Sequence, residues 1–138
     1  MIARMSEQPP AAASPEKPER PEKPESAENP EDRKLITLAR SARARNGVPE
    51  GAAVRDETGR TYVAGTVELA SLRLTALQTA VAMAVASGAK SLEAAAVVTA
   101  AESPADGDRA AVHDLGGPGT PVILAGPDGT VRTTVTAG

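Results

Sequence analysis

Gly51-Ala-Ala-Val-Arg-Asp56, Glu57-Thr-Gly-Arg60 and Thr61-Tyr-Val-Ala-Gly-Thr-Val67 follow one another without a break. Two β-prone runs joined by a short Gly-containing link predict a hairpin. Upstream, Asp32-Arg-Lys-Leu-Ile-Thr-Leu-Ala-Arg-Ser-Ala-Arg-Ala-Arg45 carries Leu35, Leu38, Ala39 and Ala42 at helical spacing, and Asn46-Gly47 supplies a stop. Its arginines read as the wet face of an amphipathic helix rather than as a basic patch. Downstream, Ser71 to Ser87 is rich in Ala, Leu and Val with hardly a charge, and Gly88 ends it. A helix apolar nearly all round is buried on most sides, within the domain or against another subunit. Leu92 to Ala100 reads as an interior strand covered on both faces. After a polar connection, Pro121-Val-Ile-Leu-Ala125, the turn Gly126-Pro-Asp-Gly129 and Thr130-Val-Arg-Thr-Thr-Val135 predict a second hairpin. Helix, hairpin, helix, strand, connection, hairpin implies an α/β sandwich around a mixed sheet.

The bulk properties fit one compact domain behind a tail. Of 138 residues, the first thirty hold seven of the twelve prolines. They centre on Pro15-Glu-Lys-Pro-Glu-Arg-Pro-Glu-Lys-Pro24, where a proline every third residue favours extended polyproline II over helix or sheet. Residues 1–30 are therefore expected to be a disordered Pro/Glu/Lys-rich tail and 31–138 the folded domain. Net charge is −3, with four Lys or Arg against six Glu in the tail, so the domain is near neutral and offers no basic stripe for nucleic acid. Tyr62 is the one aromatic residue, which removes a stacking platform for single-stranded bases. The absence of cysteine excludes disulfides, thiolate nucleophiles and Cys-based metal sites. The N-terminus lacks the apolar stretch of a secretory signal, and the longest uncharged run, Leu74 to Ala89, is too short to span a bilayer. The expectation is a soluble cytoplasmic protein with no membrane partner.

Several phrases then carry a resemblance. Gly51-Ala-Ala-Val54, Gly59-Arg-Thr-Tyr62, Thr66-Val-Glu-Leu-Ala-Ser71, Ala84-Val-Ala-Ser-Gly88, Thr120-Pro-Val-Ile-Leu124 and Asp128-Gly-Thr-Val131 occur in this order. Together they resemble the short, single-domain cytidine deaminases over nearly the whole domain. The resemblance implies a three-layer α/β/α sandwich with a five-stranded mixed sheet, and assembly as a homo-oligomer, dimer or tetramer, through the central helices. It also implies pyrimidine nucleoside as substrate and zinc as cofactor, held by a Cys or His on the central helix and two cysteines in a Pro-Cys-x-x-Cys turn, with a nearby glutamate moving protons.

The departures from that pattern fall on the chemistry. Aligning back from Gly88 places Thr75 at the first ligand and Leu77 at the glutamate, with a gap of about two residues before Thr75. Pro104-Ala-Asp-Gly-Asp-Arg109 stands where the second motif belongs, with Ala105 and Asp108 at the cysteine positions. The only histidine, His113, lies outside both motifs. Zinc lowers the pKa of bound water from roughly 15.7 to about 7, and leucine moves no proton. The expectation is therefore no catalytic residue, no metal ligand and no cofactor. For substrate, the resemblance leaves Thr66 and Glu68 at the ribose-binding positions and Val48 in place of a stacking phenylalanine. Glu68 reads equally as an exposed carboxylate at a strand end.

Other constellations carry less. His113-Asp114 with Ser103 has no nucleophile-elbow context and reads as a surface pair. Asp106, Asp108 and Asp114 fit no EF-hand spacing. Gly116-Gly-Pro-Gly119 lacks the Lys and spacing of a phosphate-binding loop and reads as a plain loop. Three functional classes stay open: a catalytically inactive deaminase-like interaction or structural module with a protein partner, a working cytidine or deoxycytidine deaminase of pyrimidine salvage, and a nucleoside-binding sensor.

Overall fold

The computed structural model describes residues 29–138. The tail expected over 1–30 therefore lies, but for its last two residues, outside the described part. Helix α1 spans Pro30–Asn46, two residues ahead of the Asp32 opening read from the sequence, because Asn29 caps it. The Asn29 side chain accepts from Glu31 N at 2.8 Å, and Pro30 occupies the first turn, where its missing N–H costs nothing. Gly47 ends the helix at φ 64°, a left-handed cap that glycine adopts without strain.

The expected hairpins form as β1 (Gly51–Asp56) with β2 (Thr61–Gly65) and β6 (Pro121–Ala125) with β7 (Val131–Thr136). The interior strand β5 (Leu92–Val98) lies between them. The sheet order is β2-β1-β5-β6-β7, antiparallel throughout except for the parallel pair β5–β6. This is the five-stranded mixed sheet that the resemblance implied. Along β5 and β6 the side chains alternate between two cores. Ala95, Val97, Val122 and Leu124 face one; Ala94, Ala96, Val98, Ile123 and Ala125 face the other. The second core holds α1 through Leu35, Ile36 and Ala39. The first holds helix α2 (Ala76–Ala86) and helix α3 (Asp106–Gly116), which gives three layers, α/β/α.

Two segments depart from the sequence reading. The helix expected over Ser71–Ser87 begins only at Ala76, because β3 (Val67–Glu68) and β4 (Arg73–Leu74) pair as a small antiparallel ribbon before it. The polar connection contains α3, whose apolar face is too short to announce a helix: Val112 is its one fully buried apolar side chain, with Ala111 and Leu115 packed beside it. Of the loop expected over Gly116–Gly119, Gly117 to Gly119 form it and Gly116 is instead the last residue of α3.

Charge fastens the fold at two points. Arg55 on β1 reaches Asp32 of α1 at 3.1 Å and Glu93 of β5 at 2.9 Å, so one guanidinium ties helix to sheet. The buried Asp56 carboxylate closes the first hairpin: Oδ1 accepts from Thr58 N, Thr58 Oγ1 and Arg60 N, and Oδ2 accepts from Tyr62 Oη. Burial pushes this carboxyl up, but the hydrogen bonds from Thr58, Tyr62 and Arg60 outweigh it and hold it down to about 2. Because the folded pKa lies below the unfolded value of about 3.9, the contribution is present above that pH and lost as pH falls toward 2. Melting temperature followed against pH should fall steeply across that window in the native protein. The Asp56→Asn variant should melt lower at neutral pH and show a shallower fall; equal slopes would refute the assignment.

Candidate functional site

A cleft of about 430 Å³ opens at the carboxyl end of β5, beside the N-terminus of α2. In open α/β sheets this is the usual side for ligands, because loops and helix starts converge there. Several parts of the chain build it. The segment after α1 contributes Glu50, the β2–β3 junction contributes Thr66 and Glu68, β4 contributes Arg73, and the first turn of α2 contributes Thr75 and Gln78. Thr99, buried at the end of β5, closes the inner end.

The two substrate-facing residues expected from the resemblance both line this cleft, in different circumstances. Thr66 is tied to Glu50 three ways: its N–H donates to Glu50 O at 3.2 Å, its hydroxyl to the same oxygen at 3.4 Å, and Glu50 N donates to its hydroxyl at 3.1 Å. Those bonds fix the rim. Glu68 is exposed, in register across the ribbon from Arg73. Val48, expected in place of a stacking ring, lies outside the cleft lining and packs close over Gly65.

The positions assigned to metal ligands fall as follows. Thr75 is the N-cap of α2 in a reciprocal capping box: Gln78 N donates to its hydroxyl, and Thr75 N donates to Gln78 Oε1, each at 3.0 Å. The Thr75 hydroxyl also donates to Asp108 Oδ1, 33 residues away, at 2.5 Å. Asp108 is 1% exposed and sits in the first turn of α3. Burial pushes its carboxyl above the ordinary range; the Thr75 hydroxyl acts the other way, and the charge of Glu50 adds to the rise. Ala105, the N-cap of α3, is exposed and makes no side-chain cap. Among the described residues, no three His, Cys, Asp or Glu side chains gather as a metal-binding group.

Leu77, aligned with the proton-moving glutamate, turns away from the cleft and is fully buried in the first core. Gln78 occupies the cleft wall in its place. The sequence reading did not single out Gln78, Glu50, Arg73 or Thr99. The Thr75-x-x-Gln78 spacing is a capping signal and marks the helix start; nothing local marks the other three. His113, Asp114 and Ser103 are exposed, as a surface pair and a loop serine would be. No described helix is long and apolar enough to cross a membrane.

Comparison with known proteins agrees with this architecture. No curated protein sequence matches the chain. In structure it is similar to cytidine deaminase from Burkholderia pseudomallei, at 31% identity and a TM-score of 0.67, covering 76% of this chain and 91% of that one. It is also similar to cytidine deaminase from Mycobacterium leprae, at 25% identity and a TM-score of 0.61, covering 75% and 91%. The enzyme from Mycobacterium tuberculosis gives 25% identity and a TM-score of 0.56, covering 72% and 86%. The family model for cytidine deaminase-like proteins matches residues 28–129, a span that runs from the cap of α1 to the turn of the last hairpin; the chain belongs to the cytidine deaminase-like family.

Proposed function

We propose that this protein is a cytidine-deaminase-like domain that does not deaminate and acts as an interaction or structural module. One observation carries the reading: the three ligand positions offer a threonine hydroxyl, an alanine methyl and a single carboxylate. A catalytic zinc takes three strong protein donors and keeps a fourth position for water. Thr75 is a weak neutral oxygen already donating its proton, Ala105 has no donor atom, and Asp108 accepts from Thr75. The donor set does not fit zinc, and no deamination step is routed through it. Leucine at position 77 supplies no acid or base in compensation. Glu68 and Thr66 would face a substrate that enters the cleft, together with Glu50, Arg73 and Gln78.

The purified protein should carry well under one zinc per chain, and chelator should leave its melting temperature unchanged. Cytidine and deoxycytidine should release ammonia no faster than the uncatalysed rate, with or without added zinc. Stoichiometric zinc with cytidine-dependent ammonia release would overturn the reading. Saturable nucleoside binding without turnover would assign the cleft to a sensor instead.

The module acts as a homo-oligomer, dimer or tetramer, in the cytoplasm, with a protein partner and without nucleic acid. Support comes from α2, which is uncharged from Ala76 to Ala86 and leaves Met83 and Val85 40% and 54% exposed on its outer side. Two copies of that face meet without charge repulsion. Light scattering that returns monomer alone at high concentration would exclude it.

A further inference from the structure

We infer that a hydrogen bond, Thr75 Oγ1 to Asp108 Oδ1, makes in this chain the join between the starts of α2 and α3 that a metal ion would make in a zinc-holding relative, so that the domain is complete without metal. The inference rests on the proposed reading of the donor set and adds a role for the residues that replaced it. Geometry separates the two kinds of join. Two oxygens bound to one tetrahedral zinc, each about 2.0–2.2 Å from it, lie roughly 3.3–3.6 Å apart. Thr75 and Asp108 oxygens lie 2.5 Å apart, which is contact through a shared proton.

Each partner is held for this contact. Thr75 is fixed by its capping box, and its hydroxyl accepts from Gln78 N while donating to Asp108. Asp108 is 1% exposed, so its carboxylate has given up most of its water and the Thr75 donor replaces part of it. The helix starts approach closely elsewhere too: a Cβ on Gly107 would lie 3.2 Å from Gln78 Nε2. Helix α3 has one other side-chain anchor at this end: Arg109 donates through Nε and Nη2 to Thr136 O of β7 at 3.2 and 2.9 Å, and that contact does not reach α2. Its N-cap makes no side-chain bond, and its one fully buried apolar side chain, Val112, lies a turn further on. The first turn of α3 is thus held toward α2 by the Thr75–Asp108 bond and toward β7 by Arg109.

The test uses the full chain in four forms besides the native one: Thr75→Ser, Thr75→Val, Asp108→Ala and the last two combined, each melted with and without chelator. Thr75→Ser, which keeps the hydroxyl, should melt within about 2 °C of the native protein. Thr75→Val and Asp108→Ala should each lose about 5–10 °C, and the pair should lose at least about 4 °C less than the sum. Chelator should move none of them. Amide exchange in the first turn of α3 should quicken at least about tenfold in Thr75→Val and stay at the native rate in Thr75→Ser. This second readout decides the matter if the alanine variants do not fold, and equal quickening in both Thr75 variants would overturn the inference. Additive losses in a zinc-free, inactive protein would sink the hydrogen-bond join alone. Chelator-sensitive melting together with ammonia release would sink the reading on which it rests.

Discussion

Gly51→Ala is expected to melt at least about 12 °C below the native protein, a loss of about 3 kcal/mol or more. A Cβ at this position would fall on the carbonyl oxygen of Ala39 and lie 2.8 Å from Arg43 N and 3.0 Å from the Ala39 carbonyl carbon. All three are backbone atoms of α1, so no side-chain rotation relieves the overlap. Either α1 moves off β1, opening the core around Leu35 and Ile36, or the start of β1 leaves the sheet. Gly59→Ala is the control: its φ of 90° makes alanine strained, but nothing lies within 4 Å of the added atom, and the cost should be about 1 kcal/mol. Thermal unfolding followed by circular dichroism reads both. A Gly51→Ala protein melting within about 3 °C of native would show that α1 does not press on this strand.

The second large effect is a gain. Thr75→Cys, Ala105→Cys and Asp108→Cys combined should give a protein that takes up about one zinc per chain. The side chains of Thr75 and Asp108 already touch, and Ala105 lies one turn before Asp108 at the start of α3. Three thiolates with a fourth position open form a donor set of the strength zinc takes. Binding free energies for structural zinc sites are on the order of 10–16 kcal/mol near neutral pH. The variant's melting temperature should therefore rise with zinc and fall with chelator, whereas the native protein should respond to neither. Absence of uptake would mean that the three positions do not converge as the fold arranges them. Adding Leu77→Glu should not complete an enzyme, since position 77 faces the core and an unpaired carboxylate there costs several kcal/mol. Gln78→Glu is the better choice. It places the carboxylate on the cleft wall, where it can still accept from the backbone N–H of position 75 as Gln78 does.

That contrast between positions 77 and 78 marks where reading the sequence stops. Helix α1 and both hairpins were legible because their periods and their Gly or Asn stops mark them, and β5 because it is a nearly unbroken apolar run. The start of α2 was not, because the apolar run from Ser71 continues through a segment that pairs with β3, and only the Thr75 cap divides ribbon from helix. Helix α3 was missed because its stripe, Ala111, Val112 and Leu115, spans little more than one turn and its first turn is the polar Asp106-Gly-Asp-Arg109. At the site, Thr66, Glu68, Thr75 and Asp108 were named from the resemblance, and Thr75 and Asp108 prove to be direct partners. Glu50, Arg73 and Thr99 lacked any local signal. They reach the cleft only because the sheet brings the ends of β2 and β5 beside the segment after α1.

The two cores contain no phenylalanine or tryptophan, and many of their fully buried positions, from Ala39 and Ala42 to Ala52, Ala53, Ala80 and Ala94 to Ala96, are alanine. Such a core releases little apolar surface to water when the chain opens. The heat-capacity increment of unfolding scales with that surface, so for this domain it should lie at or below the low end of roughly 12–15 cal/mol/K per residue. A small increment flattens the curve of stability against temperature. Calorimetry should then find a protein whose margin over the unfolded state changes slowly between cold and warm conditions, held by tight contact among small side chains rather than by a large area hidden from solvent.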